Sequence, residues 1–213
     1  MTAGEDRGAG LGERDAAAFE ACVSEGGVAL FPSDTVYGLA TDPESGPGVR
    51  RLYELKRRRP DMPSAVMFFA LEPALAALPD LGPRTRAAFE RLLPGPVTLL
   101  VPNPGDRYPL ACGPDPQRLG VRVPALDGPL EPLRAVRVPV LQSSANLHGG
   151  VDPRRLGDVP GEIRAAVDLE LDGGELPGTA STVVDLTGYE REGRHEVLRE
   201  GALASAELLR LLD

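Results

Sequence analysis

Apolar positions along this chain recur with two periods that take turns. Residues 15 to 25, DAAAFEACVSE, show helical spacing with Asp15 as an N-cap, and GGVALFP after them is a short apolar run of strand type. SDTVYGL, 33 to 39, is a loop or strand edge crowded with hydroxyls. GPGVRRLYELKRR, 46 to 58, sets Val49, Leu52, Tyr53 and Leu55 on one helical face, and SAVMFF follows as a continuous apolar strand. Further helices are expected within 72 to 78, 83 to 93, 127 to 136 and 160 to 166, with a closing helix over 202 to 212. Further strands are expected at VTLLVP, LGVRVP, VPVLQSS, STVVDL and HEVLRE. Interleaving of this kind predicts one α/β domain with a mixed sheet, because parallel neighbours need helical crossovers. Residues 15–213 form that domain, and residues 1–14, rich in glycine and charge, read as a disordered leader.

Composition narrows the picture. With 213 residues and 42% hydrophobic content the chain can bury a core, but aromatics are only 4% and tryptophan is absent, so Leu, Val and Ala must build it. Its 25 glycines and 22 prolines, spread without a period, imply many short elements joined by tight turns. No apolar run approaches the roughly 18 residues of a membrane helix, and the acidic start is unlike a secretory signal, so a cytoplasmic protein without membrane association is expected. Cys22 and Cys112 belong to no CxxC pattern, and His148 and His195 stand alone, so no metal site is expected. A net charge of -9 argues against a broadly basic nucleic-acid surface and leaves room only for a concentrated positive cleft.

Candidate chemistry gathers at strand ends. Of 23 lysine and arginine residues only Lys56 is lysine. It sits with Arg57, Arg58 and Arg59 at a helix end, where a basic run complements the macrodipole but a compact flexible cation also suits a phosphate that moves. QSSANLHGG, 142 to 150, offers Ser143, Ser144 and Asn146 after a strand; an anion or nucleotide fits there, and so does an ordinary turn. Thr35 and Tyr37 flank Val36, so in extended chain their hydroxyls face one side, although β-propensity accounts for the triplet equally well. Arg122 inside the apolar run LGVRVP is costly unless it meets an anion. Ser181 opens STVVDL and Arg199 closes VLRE.

In order, DTVYGLATD, LKRR, LLPGPVTLLVP, LGVRVP, SSAN, GTASTVVD and VLREG resemble the YrdC/Sua5 family, over residues 16 to 203. The resemblance implies a single YrdC-like domain, α/β (α+β) in class, whose twisted mixed β-sheet curls around a large positively charged cavity and is flanked by helices. It implies an ATP-dependent nucleotidyltransferase, L-threonylcarbamoyladenylate synthase, that makes threonylcarbamoyl-AMP and pyrophosphate from L-threonine, bicarbonate or CO2, and ATP with Mg2+. The product would pass to a tRNA-modifying transferase complex for threonylcarbamoyladenosine (t6A) formation. Carried over position by position, Lys56, Arg58, Ser144, Asn146 and Arg199 would bind ATP, with Lys56 and Arg58 catalytic near the phosphates. Thr35, Tyr37, Arg122 and Ser181 would hold threonine.

The sequence departs from the family pattern at several points. Met67 stands where synthases commonly carry His, Met62 where Asn or Lys is frequent, Arg59 where proline is common, and Leu147-His148-Gly149 where a small residue, Ser and Gly are usual. Two other readings therefore stay open: a non-catalytic paralogue that binds nucleotide or double-stranded RNA, and a related enzyme with a different carbamate acceptor.

Overall fold

The computed structural model describes residues 10–212. Helix α1 (Glu13–Ser24) buries Ala16, Phe19 and Val23 against strand β1 (Ala29–Pro32) and strand β2 (Tyr37–Thr41). Helix α2 (Gly46–Leu55) starts at Ser45, whose hydroxyl accepts from the Gly48 N–H at 3.1 Å, and it buries Val49, Leu52 and Tyr53. Strand β3 (Ala65–Met67), helix α3 (Leu71–Ala77), helix α4 (Pro83–Leu92) and strand β4 (Val97–Pro102) follow. Then come helix α5 (Pro109–Cys112), strand β5 (Arg118–Arg122) and strand β6 (Val140–Ser144). The last part holds helix α6 (Gly161–Arg164), strand β7 (Leu169–Glu170), strand β8 (Thr182–Asp185), helix α7 (Tyr189–Glu192), strand β9 (Glu196–Arg199) and helix α8 (Ser205–Leu212).

Among the described residues nine strands join one mixed sheet that does not close, in the order β7-β1-β2-β6-β3-β5-β4-β8-β9. β3 runs parallel to β5 and antiparallel to β6, and β4 lies between β5 and β8, parallel to β8. One face carries the core, where Phe19, Phe31 and Phe69 pack with ring centroids 5.0 to 6.4 Å apart.

Three expectations change in detail. The segment 127 to 136 is a 3-10 helix over Gly128–Ala135 rather than an α-helix; Pro129 is tolerated in the first turn, but Pro132 lacks the N–H that an α-helix would direct at the Gly128 carbonyl. The helix expected to run to Arg58 stops at Leu55, for a reason that belongs to the site. Residues 1–9 of the expected leader lie outside the described residues. Its remainder is part of the fold: Leu11 packs on the core, its N–H donates to the Pro129 carbonyl, and α1 begins at Glu13. Among the described residues no helix is long and apolar enough to cross a membrane.

Candidate functional site

Alternation along β5 decides which side chains meet. Leu119 and Val121, both fully buried, face the core, so Arg118, Gly120 and Arg122 face the other side of the sheet. The same period brings Thr98 and Leu100 of β4, Gln142 and Ser144 of β6, and Val183 of β8 to that side, where they line a cavity of about 450 Å³. That volume lies within the range of small-molecule sites. A register shift between β8 and β9 breaks the alternation, and so Leu198 and Arg199, consecutive in sequence, both reach the cavity.

The Lys-x-Arg segment owes its shape to how α2 ends. Arg57 takes a left-handed conformation (φ 50°), its N–H donates to the Glu54 carbonyl, and the Arg58 N–H donates to the Tyr53 carbonyl. This is a Schellman closure with arginine where glycine is usual, and it explains why the helix stops short of Arg58. Lys56, 3% exposed, points its ammonium at the Asn146 carbonyl (2.8 Å), Asn146 Oδ1 (3.0 Å) and the Ser144 carbonyl. The Lys56 carbonyl in turn accepts from the His148 N–H at 2.9 Å. All three ammonium protons are thus engaged, and the sole lysine braces the Ser-x-Asn turn from behind instead of extending into the cavity. Burial, and then the nearby Arg58 charge, push its pKa down from 10.5 to about 8.

Arg58 itself does line the cavity. Its Nη1 donates to Ser64 Oγ and Ser143 Oγ, each at 3.1 Å, its Nη2 donates to the Pro63 carbonyl, and the guanidinium lies 5.4 Å from the centroid of the Tyr53 ring. In the turn, Ser144 Oγ donates to Asn146 Oδ1 at 2.7 Å and Asn146 Nδ2 donates to the Gly150 carbonyl at 2.6 Å.

Arg122 occupies the opposite end. It is 3% exposed, and its Nη2 donates to Thr35 Oγ1 at 2.6 Å and to the Asp34 carboxylate, whose other oxygen accepts from the Ala125 N–H at 3.0 Å. Nearby, Ser181 Oγ and Thr98 Oγ1 are 2.9 Å apart, and Arg199 Nη2 donates to the Ser181 carbonyl at 2.7 Å. Burial holds the Arg58 and Arg199 guanidiniums below their ordinary pKa. Strand register fixes the polarity of the site. Ala65 pairs with Gly120 and Gln142, and Met67 with Arg122 and Val140, so Ser143 and Ser144 lie toward Arg118, away from Arg122.

Charge compensation differs between the cations. Arg122 and Arg118 are paired with Asp34 and Asp185, whereas Lys56, Arg58 and Arg199 are held by neutral acceptors alone among the described residues. Three positive charges without an ion-paired carboxylate thus gather around one hollow of a protein whose net charge is -9, with Asp152 acting on Lys56 and Arg199 only from beyond ion-pair distance. Such an arrangement attracts an anion of several charges.

Of the residues singled out from sequence, Arg58, Arg122, Ser144, Ser181 and Arg199 line the cavity, and Thr35, Lys56 and Asn146 are hydrogen-bonded to lining residues. Tyr37 is not brought there. Ser33 to Val36 form a turn, with the Ser33 N–H and Oγ both donating to the Val36 carbonyl, so alternation from Thr35 does not carry into β2. The Tyr37 hydroxyl instead donates to the Gly174 carbonyl at 2.8 Å and accepts from the Gly173 N–H at 3.0 Å; burial and then the Asp172 carboxylate raise its pKa. Met67 is fully buried in the core beside Arg122.

Sequence reasoning missed Arg118, Thr98 and Asp34, while Ser143, read with the Ser-x-Asn turn, does line the cavity. Period two along RLGVR would have found Arg118 from Arg122, whereas nothing in the sequence ties Asp34 to a cation 88 positions away. Among the described residues no group of three or more His, Cys, Asp or Glu side chains gathers in a way that could hold a metal.

Comparison with known proteins identifies the family and the fold. The Sua5/YciO/YrdC family model, described as Telomere recombination, matches residues 21–201. A threonylcarbamoyl-AMP synthase of Chromohalobacter salexigens is 36% identical over 179 residues, covering 80% of this chain and 91% of that protein. The threonylcarbamoyl-AMP synthase of Pyrococcus abyssi is 29% identical over 191 residues, covering 89% of this chain, which spans 55% of that protein's length. The crystal structure of P. abyssi Sua5 complexed with L-threonine matches with a TM-score of 0.82 at 27% identity, over 94% of this chain and 58% of that one. With the family model matched over most of its length and the fold shared, the chain belongs to the Sua5/YciO/YrdC family.

Proposed function

We propose that this protein is an L-threonylcarbamoyladenylate synthase, joining L-threonine, bicarbonate and MgATP into threonylcarbamoyl-AMP with release of pyrophosphate. The observation that carries the reading is the two-ended cavity, with Arg122, Thr35 and Ser181 at one end and Arg58 with the Lys56-braced turn at the other. The threonine complex of P. abyssi Sua5 supports threonine as the amino acid, and the names of the relatives support threonylcarbamoyl-AMP as the product.

The chemistry asks little of a protein nucleophile. A neutral amino-acid amine and bicarbonate give a carbamate and water. A carbamate oxygen then bonds to the α-phosphorus as the bond to the β-bridging oxygen breaks, and the electron pair leaves with pyrophosphate. What must be supplied is alignment of two mutually repelling anions and stabilisation of the transferring charge. Arg122 would take the amino-acid carboxylate, with Thr35 and Ser181 beside it. Arg58, Ser144, Asn146 and Arg199 would take the nucleotide, with Lys56 adding its charge from behind the turn. Arg199 rests on Ser181, so the two substrates meet at that contact. Magnesium enters with ATP as part of the substrate, and the product would go to a separate tRNA-modifying transferase.

One observation favours a variant of this reading. Met67, in register with Arg122 but fully buried and not lining the cavity, leaves the amino-acid end without a hydrogen-bonding ring at that position, which suits an acceptor other than threonine. A single assay decides: pyrophosphate release from MgATP and bicarbonate with each of the twenty amino acids. Threonine-dependent release is expected. Release with a different amino acid alone would move the substrate, and no release with any would overturn the enzyme reading.

A further inference from the structure

We infer that Arg154 is a positioning residue for the amino-acid end of the cavity, acting through the strap of chain that delivers Ser181; the assignment rests on the reaction proposed above.

Residues 171 to 181 have no helix or strand of their own, so this strap takes its shape from what touches it. Its far end lines the cavity through Ala180 and Ser181. Its middle is held at Gly178 by two contacts. The Gly178 N–H donates to the carbonyl of Thr35 at 2.8 Å, the residue whose hydroxyl accepts from Arg122. The Arg154 stem lies against the same glycine, where a Cβ would run into Arg154 Cγ and Cδ. With φ at 85° residue 178 disfavours any side chain of its own, so Arg154 supplies from a neighbouring loop the cover that this position cannot.

Arg154 meets the strap at three further points. Its carbonyl accepts from the Leu176 N–H at 2.9 Å, its Nε donates to the Leu176 carbonyl at 3.4 Å, and its Nη2 donates to Glu175 Oε1 at 2.9 Å. Glu175 also accepts from Arg155, and all three side chains are 46 to 63% exposed, so the ion pairs themselves add little. The side chain matters chiefly as the cover over Gly178 and the donor to Leu176. The Leu176 N–H keeps its acceptor whatever side chain stands at 154, so a substitution there loosens the strap without detaching it. A strap free to shift at Gly178 disturbs Thr35 and Ser181, both at the amino-acid end. Arg58 and the Ser-x-Asn turn make no hydrogen bond to it among the described residues.

The test is steady-state pyrophosphate release by the full chain, with MgATP and L-threonine varied in turn at saturating bicarbonate. Arg154→Ala is expected to raise the threonine KM about tenfold, the worth of one good polar contact, with kcat and the ATP KM within about twofold of wild type. Arg154→Lys keeps the stem and is expected to restore the threonine KM. An unchanged threonine KM in Arg154→Ala, equal rises in both KM values, or an Arg154→Lys variant as impaired as the alanine one would overturn the assignment. Hydrogen exchange reads the same contact without the reaction: the Gly178 amide is expected to exchange about tenfold faster in Arg154→Ala than in wild-type protein, and an unchanged rate sinks the grip on the strap. Wild-type protein that releases no pyrophosphate with threonine overturns the synthase reading and the role of Arg154 in it, while accelerated exchange in the variant would still leave the grip on Gly178 standing.

Discussion

Replacing Arg122 to test threonine binding would perturb two things at once, and the structure gives the size of the unwanted one. Arg122 and Asp34 form an ion pair whose side chains are 4% and 6% exposed, and Arg122→Met leaves the carboxylate buried without its counter-ion. Breaking such a pair from one side costs about 3 to 5 kcal/mol. For a domain of this size that is a fall of about 6 to 20 °C in Tm. Asp34→Asn keeps an acceptor for the Ala125 N–H and strands the guanidinium instead, with a cost of the same order. The double variant removes both charges, so its loss should fall short of the sum of the single losses by at least about 2 kcal/mol. Urea unfolding of the four proteins measures this cycle. Additivity within about 0.5 kcal/mol would refute the buried pair and return Arg122 to the ligand alone. The amino-acid KM is best compared between Asp34→Asn and the double variant, which share the altered Asp34 and differ only in the guanidinium.

Three further outcomes are expected. Gly120→Leu should abolish nucleotide and amino-acid binding while moving Tm by no more than a few degrees, because its Cβ starts in ordinary contact with Ala65 and the rest grows into the cavity; unaltered binding would mean the ligands lie elsewhere. Nucleotide affinity should weaken as pH rises through about 8, where Lys56 passes from ammonium to neutral amine, and the slope should vanish in Lys56→Met; a pH profile identical in the two proteins would remove Lys56 from the nucleotide site. Tyr37→Phe should lose about 1 to 2 kcal/mol of stability by freeing the Gly173 and Gly174 backbone, with the amino-acid KM unchanged, and a raised KM would restore the hydroxyl to the site.

Much of this arrangement is legible in the sequence where one residue's environment is local. Arg122 stands out because a charge in LGVRVP must find a partner, and it does. The alternation that isolates Arg122 also runs back to Arg118, so that residue was readable by the same rule. Tyr37 failed for a physical reason: alternation holds only in continuous extended chain, and the hydrogen bonds of Ser33 make a turn between Thr35 and β2. The end of α2 was misplaced because a left-handed Arg57 leaves no glycine to mark the Schellman closure. The Lys-x-Arg and Ser-x-Asn motifs point to one site, but the cage of two carbonyls and an amide oxygen around the Lys56 ammonium is visible only in the fold. The Asp34 counter-ion lies at a sequence separation no local pattern spans.

The caged lysine has a consequence for chemical self-protection. Mixed anhydrides of phosphate acylate amines, so an enzyme that shelters one endangers its own primary amino groups. The cations lining this cavity are all guanidiniums, which are protonated at any working pH and poor nucleophiles, and the one ε-amino group in the chain directs its three protons at oxygen atoms behind the turn. An activated carbamoyl adenylate waiting here for its acceptor would find no side-chain amine to attack it.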